Sequence, residues 1–289
     1  MIGVFDSGYG GLTILHGLTD RLPRYSYVYI GDNARAPYGS RSAEEIIKFT
    51  QQGVTYLFEQ GASLVILACN TASAIALRPI QREFLPQRYP NRRVLGIIVP
   101  TIEQITGEPW NPAPSEASST TARTMLPSTV GILATDQTVR SGTYAAEIHK
   151  RNPALVVIQQ ACPGLVPLIE AGGHEEEIEQ LVAQDVAALL AQHTPDMPPL
   201  RSVLLGCTHF ELISSIIQKH LPADVTLYHQ PTIVALSLQN YLTRHPEIEQ
   251  QLDTHGQRTF YTTADPASVS RQSEHFFGNA VQFSKIPLV

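Results

Sequence analysis

The chain has 289 residues, 43% of them apolar, and carries 20 Lys and Arg against 26 Asp and Glu, a net charge of −6. That length suits one or two domains of about 100–200 residues each. The acidic balance and the lack of any Lys/Arg cluster exclude nucleic-acid binding by phosphate neutralisation as an expectation. No apolar run approaches the ~18 residues of a membrane span. The start, MIGVFDSGYGG, has neither the positive region nor the long apolar core of a signal peptide. Three cysteines, Cys69, Cys162 and Cys207, are too few and too odd for a disulfide framework. They suit reduced thiols, hence a cytoplasmic protein.

Taken in chain order, short apolar runs fall at 2–5, 27–30, 64–68, 94–99, 130–133, 155–158, 203–205 and 225–228. Amphipathic patterns lie between them, at 43–60, 72–85, 138–151, 175–192 and 210–220. Buried apolar strands alternating with helices read as βα units in parallel sheets. Eight such strands are too many for one small sheet and predict two α/β domains. The stretch 107–128 breaks the rhythm: it is rich in Pro, Ser and Thr, without a period, and reads as an inserted loop or a linker between halves. The end adds a strand at 258–263, a helix at 266–277 and a last strand at 281–286.

The two halves echo each other. GASLVILACNTASAIA (61–76) aligns without gaps on PLRSVLLGCTHFELIS (199–214), which sets Cys69 on Cys207, Val65 on Val203 and Leu67 on Leu205. IGVFDSG (2–8) aligns on VGILATD (130–136), with Ser7 over Thr135, and RVLGIIVP (93–100) on DVTLYHQP (224–231). The offsets, 138, 128 and 131, keep order and spacing, the pattern of an internal duplication.

Ligands in parallel α/β sheets bind beyond the carboxyl ends of the strands. Both cysteines fall there, as do Asp6, Ser7, Gly31, Asp32 and Thr135. Two related halves facing each other would bring Cys69 and Cys207 to opposite walls of one cleft. Two matched thiols suit racemisation by proton transfer, in which one base removes a Cα proton while an acid on the other face delivers one. A thiol titrates near ~8.5 and modest tuning brings it towards neutrality. His209 and Asp6 are candidates to tune the two thiols. Helix starts at Ser7–Gly8, Asn70–Thr71 and Thr208–His209 can hold carboxylates with backbone amides.

Other readings account for less. Free cysteine is often a small buried hydrophobe, which explains Cys162 but not a matched pair. DSGYGGLT with Asp32 after the next strand hints at a dinucleotide fingerprint, yet the third glycine position is Thr13. Cys69, Cys162, Cys207 and His209 lack metal-ligand spacing. A cysteine hydrolase would leave the second cysteine unexplained. Glu170 reads from its pattern alone as a surface helix residue.

FDSGYGGLT (5–13), GDNARAPYGSRS (31–42), ACNTAS (68–73), TDQTVRSGTY (135–144), QACPGLVPLIEAG (160–172) and LGCTH (205–209) together resemble the glutamate racemases, in the cofactor-independent Asp/Glu racemase superfamily. FYTTADP (260–266) resembles the family's C-terminal segment. The resemblance implies two Rossmann-like (flavodoxin-like) parallel-sheet domains related by a pseudo-twofold, with glutamate between them. It assigns residues 1–99 plus 232–289 to one domain and 100–231 to the other. It implies Cys69 as the base for the D-enantiomer and Cys207 for the L-enantiomer, assisted by Asp6, His209 and Glu170. Asp6, Ser7, Pro37, Tyr38, Gly39, Asn70, Thr71, Thr135, Thr138, Thr208 and His209 match the substrate-binding positions. No cofactor, metal, nucleic acid or membrane is expected, a homodimer is, and the product D-glutamate would feed peptidoglycan synthesis. The nearest rivals are an aspartate racemase, a one-cysteine decarboxylase and a non-enzymatic binding protein using the same cleft.

Two departures stand out. Val99 occupies the place of a glutamate in the GVIEP of many members, so that carboxylate is lost or its role moves to Glu103. The 107–128 segment is longer than usual in the family and lies at a domain crossover.

Overall fold

The computed structural model describes residues 1–108 and 127–288, so most of the 107–128 segment lies outside the described residues. The strands form two all-parallel sheets. The larger has the order β10 (Phe283–Lys285), β9 (Arg258–Thr262), β2 (Tyr27–Gly31), β1 (Ile2–Asp6), β3 (Leu64–Leu67), β4 (Arg93–Gly96). The smaller has β6 (Leu155–Ala161), β5 (Ser128–Ala134), β7 (Leu200–Gly206), β8 (Thr226–Tyr228). The order 2-1-3-4 of the first sheet is repeated as 6-5-7-8 in the second. The three sequence echoes therefore fall on equivalent strands, β1 on β5, β3 on β7 and β4 on β8. The fold is α/β with two flavodoxin-like sheets, as the sequence predicts.

The central strands are buried on both faces, and this is why they read as unbroken apolar runs. Along β1, Val4 joins one core cluster and its neighbour Phe5 the other, the period of two that a pleated strand imposes. One of these clusters spans both sheets. It runs from Val4 and Ile66 through Leu12 and Leu15 to Leu205, Phe210, Val234 and Leu238. Helix α1 (Gly11–Arg21) packs along the later helix Gln230–Arg244 and carries this shared core across.

Local chemistry explains most of the helices. Helix α2 (Ala43–Glu59) opens on a capping box, with Ser42 Oγ accepting from Glu45 N at 3.2 Å and Glu45 Oε2 accepting from Ser42 N at 3.1 Å. The helix Pro266–Phe277 has Asp265 as its cap, Pro266 in its first turn and Gly278 in the left-handed region at its end.

Several predicted bounds shift. The apolar run 94–99 is a strand only to Gly96. From Ile98 the chain is helical (α4, Ile98–Thr106), because Ile98, Ile102 and Ile105 share one helical face packed on Val130, Ile132 and Leu204 of the other sheet. The expected helix 72–85 begins earlier, as α3 (Asn70–Ile75), and loses regularity towards Pro79, which lacks an amide hydrogen; a π turn follows at Ile80–Phe84. The expected helix 138–151 is two, α5 (Asp136–Arg140) and α6 (Thr143–Arg151), parted at Gly142 with φ +62°. The pattern 210–220 resolves into a 3₁₀ turn, Thr208–Ile213, and helix Ser214–His220. Val99 and Glu103 face a cavity of about 300 Å³ that is lined by neither Cys69 nor Cys207. Among the described residues no helix is long and apolar enough to cross a membrane.

Candidate active site

The carboxyl ends of β1, β3, β5 and β7 meet at a cavity of about 340 Å³ lined by residues of both halves. Cys69 and Cys207 each cap the turn that follows a central strand, Cys69 before α3 and Cys207 before the 3₁₀ turn at Thr208. Both line the cavity and both are nearly buried. The strand must stop and a helical turn must start at these positions, and so the side chain there points out of the sheet end rather than into its faces.

The two thiols have different neighbours. Cys69 Sγ accepts from the Ala72 amide at 3.4 Å and lies 3.5 Å from Ser7 Oγ. Burial, with the nearby Asp6 charge, pushes the Cys69 thiol up to about 12, and the Ser7 and Ala72 hydrogen bonds only partly offset this. Cys207 Sγ lies 3.8 Å from His209 Nδ1, and His209 Nε2 lies 2.8 Å from Glu170 Oε1. Burial opposes the His209 charge, but the hydrogen bonds to Cys207 and Glu170 outweigh it and hold the imidazole up at about 10. His209 is therefore a cation at neutral pH. Its ring also takes the edge-on contact of Phe276, with centroids 5.5 Å apart.

Asp6 is buried behind the cavity rather than on its wall. Its Oδ2 accepts from the Gly8 amide at 2.9 Å, and its Oδ1 is buried without a hydrogen-bond partner. Burial raises its proton affinity above that of an ordinary carboxyl, against the pull of His209. Glu170 also stands behind the wall and meets the cavity through His209.

Of the other residues singled out, Ser7, Pro37, Tyr38, Gly39, Asn70 and Thr71 line the cavity from the first half. Thr135, Thr208 and His209 line it from the second. Thr138 is fully buried beneath it, in a hydroxyl triangle with Thr71 and Thr135 whose sides are 2.9, 3.3 and 3.1 Å. Tyr38 is pinned from below, its hydroxyl donating to Asp32 Oδ2 at 2.5 Å while Arg35 Nε donates to the same carboxylate at 2.7 Å. Asp32 thus secures a wall of the cavity.

Sequence reasoning left out several wall residues. Pro163, Val166 and Pro167 line it, as do Asp136 and the exposed Arg140; Cys162, which the sequence reads as a structural thiol, lines it too. Arg140 pairs with Asp136 at 3.0 Å. Its signal was its place one turn into the helix that follows β5. The glycines of DSGYGG also acquire a reason. A side chain at Gly10 would collide with Thr208 Oγ1 and the His209 ring, and one at Gly8 would come within 3.0 Å of Glu170 Oε1. They let the first half press against the second, where the dinucleotide reading would have them face a pyrophosphate. Among the described residues, no group of three or more His, Cys, Asp or Glu is placed to hold a metal ion.

Comparison with known proteins identifies the family. The profile of the Asp/Glu/Hydantoin racemase family matches residues 113–236. The glutamate racemase of Phenylobacterium zucineum is 41% identical over 288 residues, covering 98% of each chain. That of a Caulobacter species is 42% identical over the same coverage. The chain belongs to the glutamate racemase family. Among solved glutamate racemases, an isoform from Bacillus anthracis superposes with a TM-score of 0.80 at 29% identity, covering 100% of this chain and 97% of that one. The Francisella tularensis enzyme, solved with D-glutamate, gives 0.80 at 31% identity, covering 99% and 97%. The fold is thus shared with glutamate racemases of known structure, and the chain is an isomerase of that family.

Proposed function

We propose that the protein interconverts L- and D-glutamate by two-base proton transfer at Cα, without a cofactor, with Cys69 and Cys207 as the two bases. The observation that carries this reading is the pair of matched strand-end thiols, one from each sheet, on one cavity. In the L-to-D direction the Cα–H bond breaks, its electron pair stays on carbon, and the proton goes to the sulfur of Cys207. On the other face the S–H bond of Cys69 breaks and its proton goes to Cα. The thiol and thiolate have then exchanged places, and the reverse reaction uses them in the opposite order.

The electrostatics fit that direction of departure. Cys69, pushed up to about 12, rests as the thiol and has a proton to give. Cys207 faces the His209 cation, which balances negative charge on sulfur. Asp6 and Glu170 act through charge on the groups nearer the substrate. Ser7, Asn70, Thr71, Thr135 and Thr208 supply hydroxyl, amide and backbone donors for the two carboxylates of glutamate, while Tyr38, Pro37 and Gly39 form a wall. We assign residues 1–99 with 232–289 to one domain and 100–231 to the other, closing on the substrate to keep water from the carbanion. D-Glutamate made in this way would feed peptidoglycan synthesis.

The test is L-glutamate in heavy water with no cofactor added, following optical rotation and Cα deuteration together. Loss of rotation with deuterium uptake is expected, and Cys69→Ser or Cys207→Ser is expected to lower the rate about 10²–10⁴-fold. Full activity in either variant would sink the two-thiol mechanism. Deuteration of aspartate but not glutamate would reassign the substrate.

A further inference from the structure

A buried polar cluster stands directly behind Asn70, and it joins four parts of the chain. Asn70 is the first residue of α3, next to Cys69. Thr101 lies on α4, the first crossing between the sheets, and Tyr144 lies on α6 of the second half. Gln230 is the first residue of the helix Gln230–Arg244, the crossing that returns. All four are buried, Thr101 and Tyr144 completely.

Their hydrogen bonds form a closed set. Asn70 Nδ2 donates to Gln230 Oε1 at 2.6 Å, and Gln230 Nε2 faces Asn70 Oδ1 at 3.2 Å, so the two amides pair. Tyr144 OH donates to Asn70 Oδ1 at 2.6 Å. Gln230 Nε2 also reaches Thr101 Oγ1 at 2.9 Å and Tyr144 OH at 3.0 Å. Thr101 Oγ1 in turn donates to the Ile97 carbonyl at 2.8 Å.

Valence decides what is left over. Asn70 Oδ1 accepts from the Tyr144 hydroxyl at 2.6 Å, while the two hydrogens of Gln230 Nε2 are shared among Thr101 Oγ1, Tyr144 OH and Asn70 Oδ1. A carboxamide nitrogen has two hydrogens, and Asn70 uses one on Gln230. The amide is therefore locked with its oxygen inward, and its second N–H is the uncommitted donor. Asn70 lines the thiol cavity. A flipped amide would set its nitrogen against the Tyr144 hydroxyl and the Gln230 nitrogen and lose the pair.

We propose that Gln230 and Tyr144 are positioning residues, which hold the Asn70 carboxamide with one N–H aimed at a carboxylate of the substrate. The assignment rests on the racemase reading above for the identity of that substrate. Because the set includes both crossings between the sheets, the angle between the halves and the aim of Asn70 are set by the same hydrogen bonds. Neither residue touches a thiol, so the set governs substrate binding and leaves proton transfer to the cysteines.

The test uses Tyr144→Phe, which removes one hydroxyl, and Gln230→Leu, which removes both halves of the amide pair. Each is expected to raise KM for glutamate about tenfold, the scale of one charge-assisted hydrogen bond. The pH midpoints of kcat are expected to stay at their wild-type values, since the thiols and His209 are untouched. A folded Tyr144→Phe with wild-type KM overturns the proposal, and so does a fall in kcat with shifted midpoints at unchanged KM. Should Gln230→Leu fail to fold, Tyr144→Phe decides alone. Hydrogen exchange of the Asn70 side-chain amide, identified by its loss in Asn70→Asp, does not depend on catalysis. One slow N–H, the one on Gln230 Oε1, and one fast N–H are expected in the wild type and two fast ones in Gln230→Leu; equal behaviour in both overturns the positioning role. Absence of glutamate racemisation in the wild type would instead remove the functional reading and leave the exchange result to judge the cluster.

Discussion

Glu170→Gln isolates one charge in the site without changing its shape. Glu170 Oε1 lies 2.8 Å from His209 Nε2, with the Glu170 side chain 21% exposed and that of His209 5% exposed. The imidazole is held at about 10 by Cys207 and then by Glu170, against the cost of burial. A glutamine keeps an oxygen for the Nε2–H but gives up the negative charge. A hydrogen bond to a charged group contributes about 1.5–3 kcal/mol, so the loss is expected to bring His209 down to between about 8 and 9. The sign for stability follows from linkage. The folded value lies above the ~6.5 of a free imidazole, so the pairing stabilises fully below ~6.5 and fades as pH rises through the folded value. Urea unfolding near pH 6 is expected to show the variant weaker by about 1.5–3 kcal/mol, with no deficit above pH ~10. Carbon-edited NMR titration, with the His209 signal identified by its loss in His209→Asn, reads the value directly. The alkaline limb of the L-to-D rate is expected to move down with it. An unchanged His209 titration in Glu170→Gln would refute the claim that this carboxylate sustains the cation beside Cys207.

Three further outcomes are expected. Gly10→Ala places a methyl against Thr208 Oγ1 and the His209 ring; it is expected to cost about 1–3 kcal/mol in urea unfolding and to lower activity, whereas wild-type stability would show that the halves do not press together there. Asp32→Asn removes the charge that faces Arg35 at 2.7 Å and Tyr38 at 2.5 Å; a loss of about 3 kcal/mol and a raised KM are expected, the second because Tyr38 forms a wall of the cavity. Cys69, held up at about 12, is expected to react slowly with iodoacetamide at neutral pH, measured by peptide mapping in Cys207→Ser. The rate should still be climbing about tenfold per pH unit at pH ~9, and a plateau near ~8.5 would mean an unperturbed thiol.

The sequence by itself determined the strands, the pairing of the halves and the two thiols. Parallel strands buried on both faces must be apolar throughout, so runs such as Leu64–Leu67 and Val203–Leu205 declare themselves, and each ends in a cysteine for the same reason of topology. The motifs around Asp6, Cys69 and Cys207 were enough to name the family. What periodicity could not give was where helices break, since Pro79 and Gly142 act through hydrogen bonds and backbone angles that a moment averages away. Nor could it show Glu170 behind His209, because a carboxylate on an amphipathic helix reads as solvent-facing until the helix is packed. Asp32 under Tyr38, the glycines pressed against Thr208 and the amide pair of Asn70 and Gln230 belong to tertiary structure alone. Residues 160 positions apart acquire a shared hydrogen bond only when two sheets, crossed twice by the chain, fix the distance between them.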